Sequence, residues 1–238
     1  MRIAHFILAV IASRFFYIAG LETGPGSFVG LAYFGLPWLM VNIVYQFKIQ
    51  LKEISPLIWR RILVPENYSF WDLHVAIQDS MGWLDYHLHL FRIRRKHAHS
   101  ITLIGIPDED RFEDDPEITA GWEVSISDFF YDVGTTFDYE YDFGDSWEHE
   151  IIHEGILLKE KGTKYPVCIG AARACPPEDC GGVPGYYRML DIISDPNHEE
   201  YEEMITWLGK KYDPEQFVSS EVKFDNPKKR WRQAFSEY

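Results

Sequence analysis

Two adjoining stretches of this sequence alternate apolar and polar residues with a period of two. They run from Thr136 to Phe143 and from Trp147 to Leu158, and Gly144-Asp145 lie between them. Successive side chains of a β-strand point to opposite faces, so this alternation is typical of a strand with one buried face. A glycine beside an aspartate is typical of a tight turn. The sequence therefore predicts an antiparallel hairpin, which any fold of this chain must accommodate.

An earlier segment predicts another hairpin. Alternation from Val44 to Lys52 indicates a half-buried strand, and Ile54-Ser-Pro56 turns the chain. Trp59 to Val64 is the expected partner strand, and Pro65 ends it because proline cannot donate to the ladder.

A helix is predicted directly after this hairpin. Ser69 is a capping residue and Gly82 a helix-ending one, so we expect a helix from Phe70 to about Met81. The same periodicities predict strands at His87–Arg94 and Ser100–Ile106, a short helix at Ser127–Asp132, and helices at Gly185–Ser194 and His198–Gly209. Residues 40–238 are thus predicted to form a single α+β domain with antiparallel hairpins, a packed helix after the first hairpin and a helical C-terminal part.

Residues 1–39 differ in character from the rest of the chain. An apolar run from Ile3 to Ala12 imitates a signal peptide, but Arg14 ends it before the roughly 20 apolar residues that a membrane-spanning helix needs. Met40 stands just ahead of the first predicted strand. We expect residues 1–39 to be an over-extended translation, with a genuine signal or anchor and an added structural element as the alternatives. With Met40 as the start, no membrane partner is expected.

Composition narrows the partners and the compartment. The 238 residues include 37 acids against 23 Lys and Arg, and the formal net charge of -14 repels a nucleic-acid backbone unless the cations gather on one face. Three cysteines cannot form a complete disulfide framework, so a cytoplasmic protein is expected. Residues 107–117 carry seven acids, which is typical of a solvated loop, with a divalent-cation site as the alternative.

Six segments of the chain are distinctive in their order and spacing. They are SPLIWRRILVP (55–65), MGWLDYHLHLFRI (81–93), YDFGDSWEHEI (141–151), CPPEDCGGVPGY (175–186), DPNHEEYEEMITWLG (195–209) and YDPEQF (212–217). Together they resemble the plasmid pRiA4b ORF-three-like family over about residues 42–220. The resemblance implies a mixed α/β fold and an association with plasmids or mobile elements. Some members carry a transposon-resolvase label, but the sequence shows neither a serine supported by several arginines nor a basic helix-turn-helix.

Acidic, indole and imidazole side chains gather around the turn of the 136–158 hairpin and before the double glycine at 181–182. The candidate binding residues are Asp142, Asp145, Trp147, His149, Glu178 and Asp179. Aspartates in turns also accept hydrogen bonds from backbone N–H groups, so a purely structural turn with a buried indole is the alternative to a binding or catalytic cluster.

The stretch CIGAARACPPEDCGG (168–182) holds every cysteine of the chain. The candidate metal ligands are Cys168, Cys175, Cys180, His87 and His89. Histidines two apart on a strand share a face, and three thiolates with one imidazole make a tetrahedral zinc site. The spacing lacks the Cys-x2-Cys pair of a typical zinc site, so a turn with small buried thiols and a redox site remain as alternatives. Zinc is the cofactor that the sequence suggests.

Three function classes follow. The first is a binding or accessory protein without a reaction, whose partner is a protein or a small ligand, and the lack of an intact catalytic motif favours it. The second is a metal-dependent enzyme acting on nucleic acid or phosphate esters through His87, His89, Asp142, Asp145 and His149. The third is a DNA-binding accessory protein that uses Arg92, Arg94, Arg95, Lys96 and the basic C-terminal tail.

Overall fold

The computed structural model describes residues 42–94, 100–108, 116–130, 132–209 and 211–235. By its internal contacts the chain divides between Met40 and Val41, and the described residues belong to the second of these units. The predictions made for residues 1–39 and for Met40 as the start lie outside the described residues. So do Arg95, Lys96 and most of the acidic block.

The described chain is an α+β domain, as predicted. Its elements are β1 (Ile43–Leu51), β2 (Trp59–Pro65), α1 (Phe70–Met81), β3 (His89–Arg94), β4 (Ile101–Gly105), β5 (Ile118–Ala120), β6 (Thr136–Tyr141), β7 (Trp147–Leu158), β8 (Val167–Ala172), α2 (Gly182–Ser194), α3 (Tyr201–Leu208) and α4 (Pro227–Phe235), with 3-10 turns at Ile126–Asp128 and Ser219–Glu221.

One sheet of eight strands contains both predicted hairpins. The strand order is β5-β4-β3-β6-β7-β1-β2-β8, with β4 and β5 parallel and the other neighbours antiparallel. The register of β6 on β7 pairs Thr136 with Ile152 and Tyr141 with Trp147, which leaves residues 142–146 as the turn. Both hairpin predictions are confirmed, and the later hairpin lies at the centre of the sheet.

Helix α1 begins and ends as its capping residues predict. The Ser69 hydroxyl accepts from Asp72 N, and the Asp72 carboxylate accepts from Ser69 N, which together make a capping box. At the other end Gly82 is left-handed with φ 88°. The helix buries its apolar side chains against the inner face of the sheet, where Phe47, Phe91, Tyr139 and Ile151 are also buried.

Several boundaries differ from the prediction. Strand β3 begins at His89, two residues later than predicted, and the predicted short helix at Ser127–Asp132 is a 3-10 turn at Ile126–Asp128. Strands β5 and β8 and helix α4 were not predicted. Strand β8 pairs on one side only and lacks a clean alternation of burial, so its sequence gave no signal of period two. Across the described residues, the structure has no helix that is long and apolar enough to span a membrane.

Candidate functional site

Three chain segments meet at one edge of the β3–β6–β7 part of the sheet. They are residues 83–88 after α1, the β6–β7 turn at 142–146, and the loop at 175–182. Backbone-directed hydrogen bonds join them, from Asp142 N to Leu88 O (2.9 Å), from Leu84 N to Glu178 Oε2 (2.7 Å) and from Gly181 N to Asp145 Oδ2 (3.1 Å). We call the surface formed by these segments the three-loop face.

The three-loop face concentrates unusual backbone geometry. Six non-glycine residues of the described chain have positive φ, and four of them lie here, with φ of 65° at Asp85, 58° at Asp142, 53° at Ser146 and 59° at Asp179. Aspartate tolerates this region better than most residues, yet each such position costs free energy. Strain of this kind collects where a protein holds side chains for a purpose, so the backbone marks this face as a functional candidate.

The double glycine allows the 175–182 loop to lie against the β6–β7 turn. A Cβ on Gly182, which has φ 66°, would lie 2.4 Å from Asp145 O. A Cβ on Gly185, in the first turn of α2, would lie 1.8 Å from Cys180 O. Only glycine permits both close approaches, and this explains why glycine stands at positions 182 and 185.

Trp83 and Tyr141 form the floor of the three-loop face. The buried Trp83 indole donates to Pro176 O at 2.9 Å and stacks on Tyr141 with ring centroids 5.0 Å apart. The Tyr141 hydroxyl donates to Glu178 Oε1 at 2.5 Å and accepts from Tyr86 N at 3.0 Å. Burial, followed by the hydrogen bond to Glu178, raises the pKa of Tyr141, so the phenol stays protonated. These bonds fix each loop relative to the other two.

The polar centre of the face consists of His87, Asp142 and Asp179. His87 Nε2 lies 3.0 Å from Asp179 Oδ1 and 3.6 Å from Asp142 Oδ2. One ligand atom from each residue lies within 4.8 Å of the other two. Among the described residues, this is the one group of three or more His, Cys, Asp or Glu side chains close enough to hold a metal ion together. One imidazole and two carboxylates can act as ligands of a divalent cation, and the carboxylates can accept hydrogen bonds from a basic side chain.

Large exposed apolar side chains lie on the same loops as this polar centre. Leu84 is 63% exposed, Tyr86 72%, Leu88 52% and Phe143 49%. The β3–β6 pairing, which matches His89 with Tyr141, continues outward and places Leu88 beside Asp142, which Phe143 follows in the chain. Exposed apolar side chains that are scattered singly need no explanation, but four of them on adjoining loops that also carry charged residues are typical of an interaction site.

The predicted cysteine ligands do not join this group. Cys168 lies buried on β8, where its thiol donates to Gly170 O at 3.5 Å. Burial raises the pKa of Cys175 and of Cys180 to about 12. A thiol must lose its proton to bind zinc or to react as a nucleophile, and burial opposes that loss. The three thiols are free, and the structure does not bring them together with His87 or His89.

The two predicted histidine ligands also separate. His87 precedes β3 and lies on the three-loop face, whereas His89 is buried on the inner face of the sheet and stacks on His74 with ring centroids 3.5 Å apart. His149 is equally buried, with Nδ1 2.8 Å from Trp147 O, and Trp147 itself is inaccessible. Of the predicted binding residues, Asp142, Asp145, Glu178 and Asp179 therefore meet, while Trp147 and His149 support the fold beneath them.

A buried polar array lies between α1 and the sheet, and sequence reasoning missed it. His74 lies 2.7 Å from Asp85 Oδ1 through Nε2 and 2.9 Å from the Tyr139 hydroxyl through Nδ1, and Gln78 donates to the same hydroxyl at 2.9 Å. Asp85 also belongs to the three-loop face, so the array connects that face to the interior. The helical spacing of His74 and Gln78 was the signal available, but it does not distinguish a polar core from a solvated stripe.

The buried imidazoles of His89 and His149 predict a loss of stability in weak acid. Burial lowers the pKa of His149 to about 4 and that of His89 well below its ordinary value. In the unfolded chain these imidazoles bind protons below about pH 6.5, whereas in the folded chain burial opposes protonation. The free energy of unfolding is therefore highest above about pH 6.5 and falls as the pH drops toward about 4. For His149 the loss at pH 5 is about 2 kcal/mol. Urea unfolding at pH 7.5 and pH 5.0 measures it.

The control for this prediction is His89→Phe. The ring of His89 is stacked and neither of its nitrogens has a hydrogen-bond partner among the described residues, so phenylalanine suits the site. We expect the variant to lose less stability than the wild type between pH 7.5 and pH 5.0. An unchanged pH dependence would contradict the assignment of His89 as one of the responsible groups.

Two of the basic residues proposed for DNA binding, Arg92 and Arg230 of the C-terminal tail, are engaged within the protein. Arg92 contacts the carboxylates of Glu140 and Glu148. In α4, Arg230 lies 2.7 Å from Asp79 and 2.5 Å from Asp225. Cations that neutralise the protein's own acids contribute little to an electrostatic footprint for a phosphate backbone.

Comparison with known proteins assigns the chain to a family. The family model described as plasmid pRiA4b ORF-3-like protein matches residues 43–221. The chain belongs to the plasmid pRiA4b ORF-3-like family. Among its relatives is the uncharacterized protein y4hQ of Sinorhizobium fredii (strain NBRC 101917 / NGR234), 38% identical over 171 residues that cover 71% of this chain and 83% of the relative.

A solved structure shares the fold of this family member. The crystal structure of the protein of unknown function MM3350 from Methanosarcina mazei Go1 superimposes with a TM-score of 0.70 at 42% identity, covering 77% of this chain and 99% of that one. The resemblance stated from the sequence is therefore confirmed. Three of the segments that carried it, around residues 81–93, 141–151 and 175–186, supply the three loops of the face.

Proposed function

We propose that this chain is a cytoplasmic, non-catalytic binding protein, and that its three-loop face binds a segment of another protein in which Lys or Arg side chains stand beside apolar ones. One observation carries the proposal, the set of four exposed apolar side chains on the face that also carries the carboxylates of Asp142 and Asp179. An accessory role on plasmids or mobile elements, which the family resemblance implies, belongs to the same proposal.

The chemistry of the face favours a basic and apolar partner. Its exposed Leu, Tyr and Phe side chains supply the contact area that dominates binding energy, and aromatic residues are prominent among such contacts. Its acidic centre suits a cation, and a partly buried carboxylate such as Asp142 gains more from one than a fully solvated carboxylate does. The net charge of -14 steers a basic partner toward the protein.

A rigid scaffold also supports a binding role. The hydrogen bonds of Trp83, Tyr141, Glu178 and Asp145 hold the loops in place before any partner arrives. Preorganised surfaces lose less conformational entropy on association. The strained aspartates then serve to hold the acidic centre in one arrangement.

A divalent cation, zinc among them, is the competing occupant of the acidic centre. His87, Asp142 and Asp179 offer the donors that such an ion uses. A metal-dependent enzyme acting on nucleic acid or phosphate esters would have to rely on these three residues and Asp145, because His89 and His149 are buried beneath the face.

Selection from a displayed library of random peptides tests the proposal. We expect the full-length protein to enrich peptides in which Lys or Arg alternates with Phe, Tyr, Leu or Trp. A variant carrying Tyr86→Ser and Leu88→Ser should lose this enrichment, because it keeps the carboxylates and removes the apolar contacts. Ile101→Ser with Leu158→Ser is the matched control, since these residues are 51% and 52% exposed and lie outside the face.

The outcomes separate the two occupants. Enrichment of basic, apolar peptides that the face variant loses and the control retains supports the proposal. Enrichment that survives Tyr86→Ser with Leu88→Ser contradicts it. A rise in melting temperature with Zn²⁺ or Mn²⁺ that Asp179→Asn removes, together with no enriched peptide, would assign the centre to a metal instead.

A further inference from the structure

A second concave site lies at the opposite end of α1 from the three-loop face. It is a cleft of about 560 Å³ between the start of α1, residues 122–125 and helix α4. Three indoles line it, with two cations and two acids: Trp71, Trp122, Trp231, Lys228, Arg232, Asp72 and Glu123. The Asp72 carboxylate is engaged by Ser69 N in the capping box of α1. A helix of 12 residues spans about 18 Å, so the cleft is remote from the loops that follow Gly82.

The aromatic walls of the cleft are fixed by contacts with one another and with α4. Trp122 makes an edge contact with Trp231 at 6.1 Å between ring centroids, and it lies 5.1 Å from Phe235. Trp71 donates its indole N–H to Pro227 O at 3.1 Å. Fixed indoles offer π-surface to a planar ring at little entropic cost.

Two cations line the cleft without an ion-pair partner among the described residues. Lys228 and Arg232 stand one helical turn apart on α4, on either side of Trp231, and neither forms an ion pair with a described residue. Arg230 on the same helix shows the contrast, since Asp79 and Asp225 hold it. Two cations beside three indoles are the features of this cleft that suit an anionic aromatic ligand.

The start of α1 contributes no free donors to this cleft. Phe70 N donates to Val124 O, Trp71 N to Gly121 O, and Asp72 N to the Ser69 hydroxyl. An anion must therefore be bound by the side chains of Lys228 and Arg232. Glu123, which is exposed at the same cleft, is available to accept from a hydroxyl or amino group.

We propose that this cleft binds a small planar aromatic anion. The ring of the ligand contacts the indoles of Trp122 and Trp231, and its negative group contacts Lys228 and Arg232. The volume of the cleft suits a ligand of ordinary cofactor or metabolite size. Nucleotides and aryl carboxylates share this chemistry. The site is independent of the three-loop face, so neither proposal depends on the other.

Calorimetric titration of the full-length protein tests the cleft. The probes are adenosine 5′-monophosphate for nucleotides and indole-3-acetate for aryl carboxylates, with adenosine and inorganic phosphate as the separated halves of the first probe. We expect at least one of the two aromatic anions to bind with a Kd below about 1 mM, and each half to bind at least about tenfold more weakly. The anion with the lower Kd shows whether the ligand is a nucleotide or an aryl carboxylate.

Substitutions in α4 complete the test. Lys228→Ala with Arg232→Ala should weaken the stronger anion by at least tenfold, because it removes both cations without altering the indoles. Lys229→Ala is the control, since Lys229 is exposed on the same helix and does not line the cleft. The proposal is overturned if neither anion binds below about 1 mM, if adenosine binds below about 1 mM as tightly as its phosphate, or if the double variant binds the stronger anion as the wild type does.

Discussion

Replacing Gly182 by alanine should destabilise the protein by about 3 kcal/mol and release the 175–182 loop from the β6–β7 turn. Two costs add at this position. A residue with a side chain is strained at φ 66°, and its Cβ would lie 2.4 Å from the carbonyl oxygen of Asp145. Backbone cannot move aside as the end of a long side chain can, so one of the two loops has to shift.

Gly162→Ala is the control that isolates the second cost. Gly162 has φ 89°, yet nothing lies within 4 Å of the Cβ it would carry. Its replacement should cost only about 1 kcal/mol, from the left-handed backbone alone. Urea unfolding of both variants measures the difference. Equal destabilisation would show that the contact between Gly182 and Asp145 does not hold the loops together.

The second large effect concerns binding rather than stability. Asp142→Asn with Asp179→Asn should weaken a basic, apolar peptide at least tenfold, because two charge-assisted contacts become neutral ones. Asparagine tolerates the left-handed backbone of both positions, and at 142 it keeps the side-chain oxygen that accepts from Gly144 N at 2.9 Å. The melting temperature should therefore stay close to that of the wild type.

Fluorescence polarisation with a labelled peptide of alternating Lys and Phe measures this loss. The matched variant is Asp213→Asn with Glu215→Gln, which removes two acids outside the face and leaves the formal net charge the same as in the test variant. A similar loss of affinity in both variants would mean that the peptide responds to overall charge and not to the three-loop face.

The sequence predicted those parts of the fold that rest on local periodicity and caps. The two hairpins were predicted from the alternation of apolar and polar residues, and helix α1 from its capping residues Ser69 and Gly82. The structure confirms all three. Strand β8 carries Gly170, Ala171 and Ala172, residues too small to show an alternation, so its pairing with β2 could not be predicted from periodicity.

The candidate site was predicted in part for the same reason. Turn acids such as Asp142 and Asp179 were recognisable from the turn at Gly144-Asp145 and from the double glycine at 181–182, but their meeting with His87 depends on long-range pairing between three segments. A strand that started at His87 would have placed that residue on the same face as His89. The strand starts two residues later, and this small shift sends the two imidazoles to different environments.

The apolar members of the face were missed because their pattern is ambiguous. Leu84, Tyr86 and Leu88 alternate with Asp85 and His87, a pattern that indicates a strand with its apolar side buried. The structure shows the reverse of the burial that such a pattern indicates, since the three apolar side chains are exposed to solvent. His87 lies against Tyr141, and Asp85 contacts His74 of the buried array. Such a reversal of the ordinary burial pattern is itself a reason to assign binding to this segment.

Amide chemical-shift mapping with the same Lys and Phe peptide tests the central claim most directly. The account predicts that the shifts change chiefly in residues 83–88, 142–146 and 175–182, and that a peptide of alternating Glu and Phe leaves them unchanged. Shift changes centred elsewhere on the sheet, or an equal response to the acidic peptide, would contradict the assignment of the three-loop face as a binding site for basic segments.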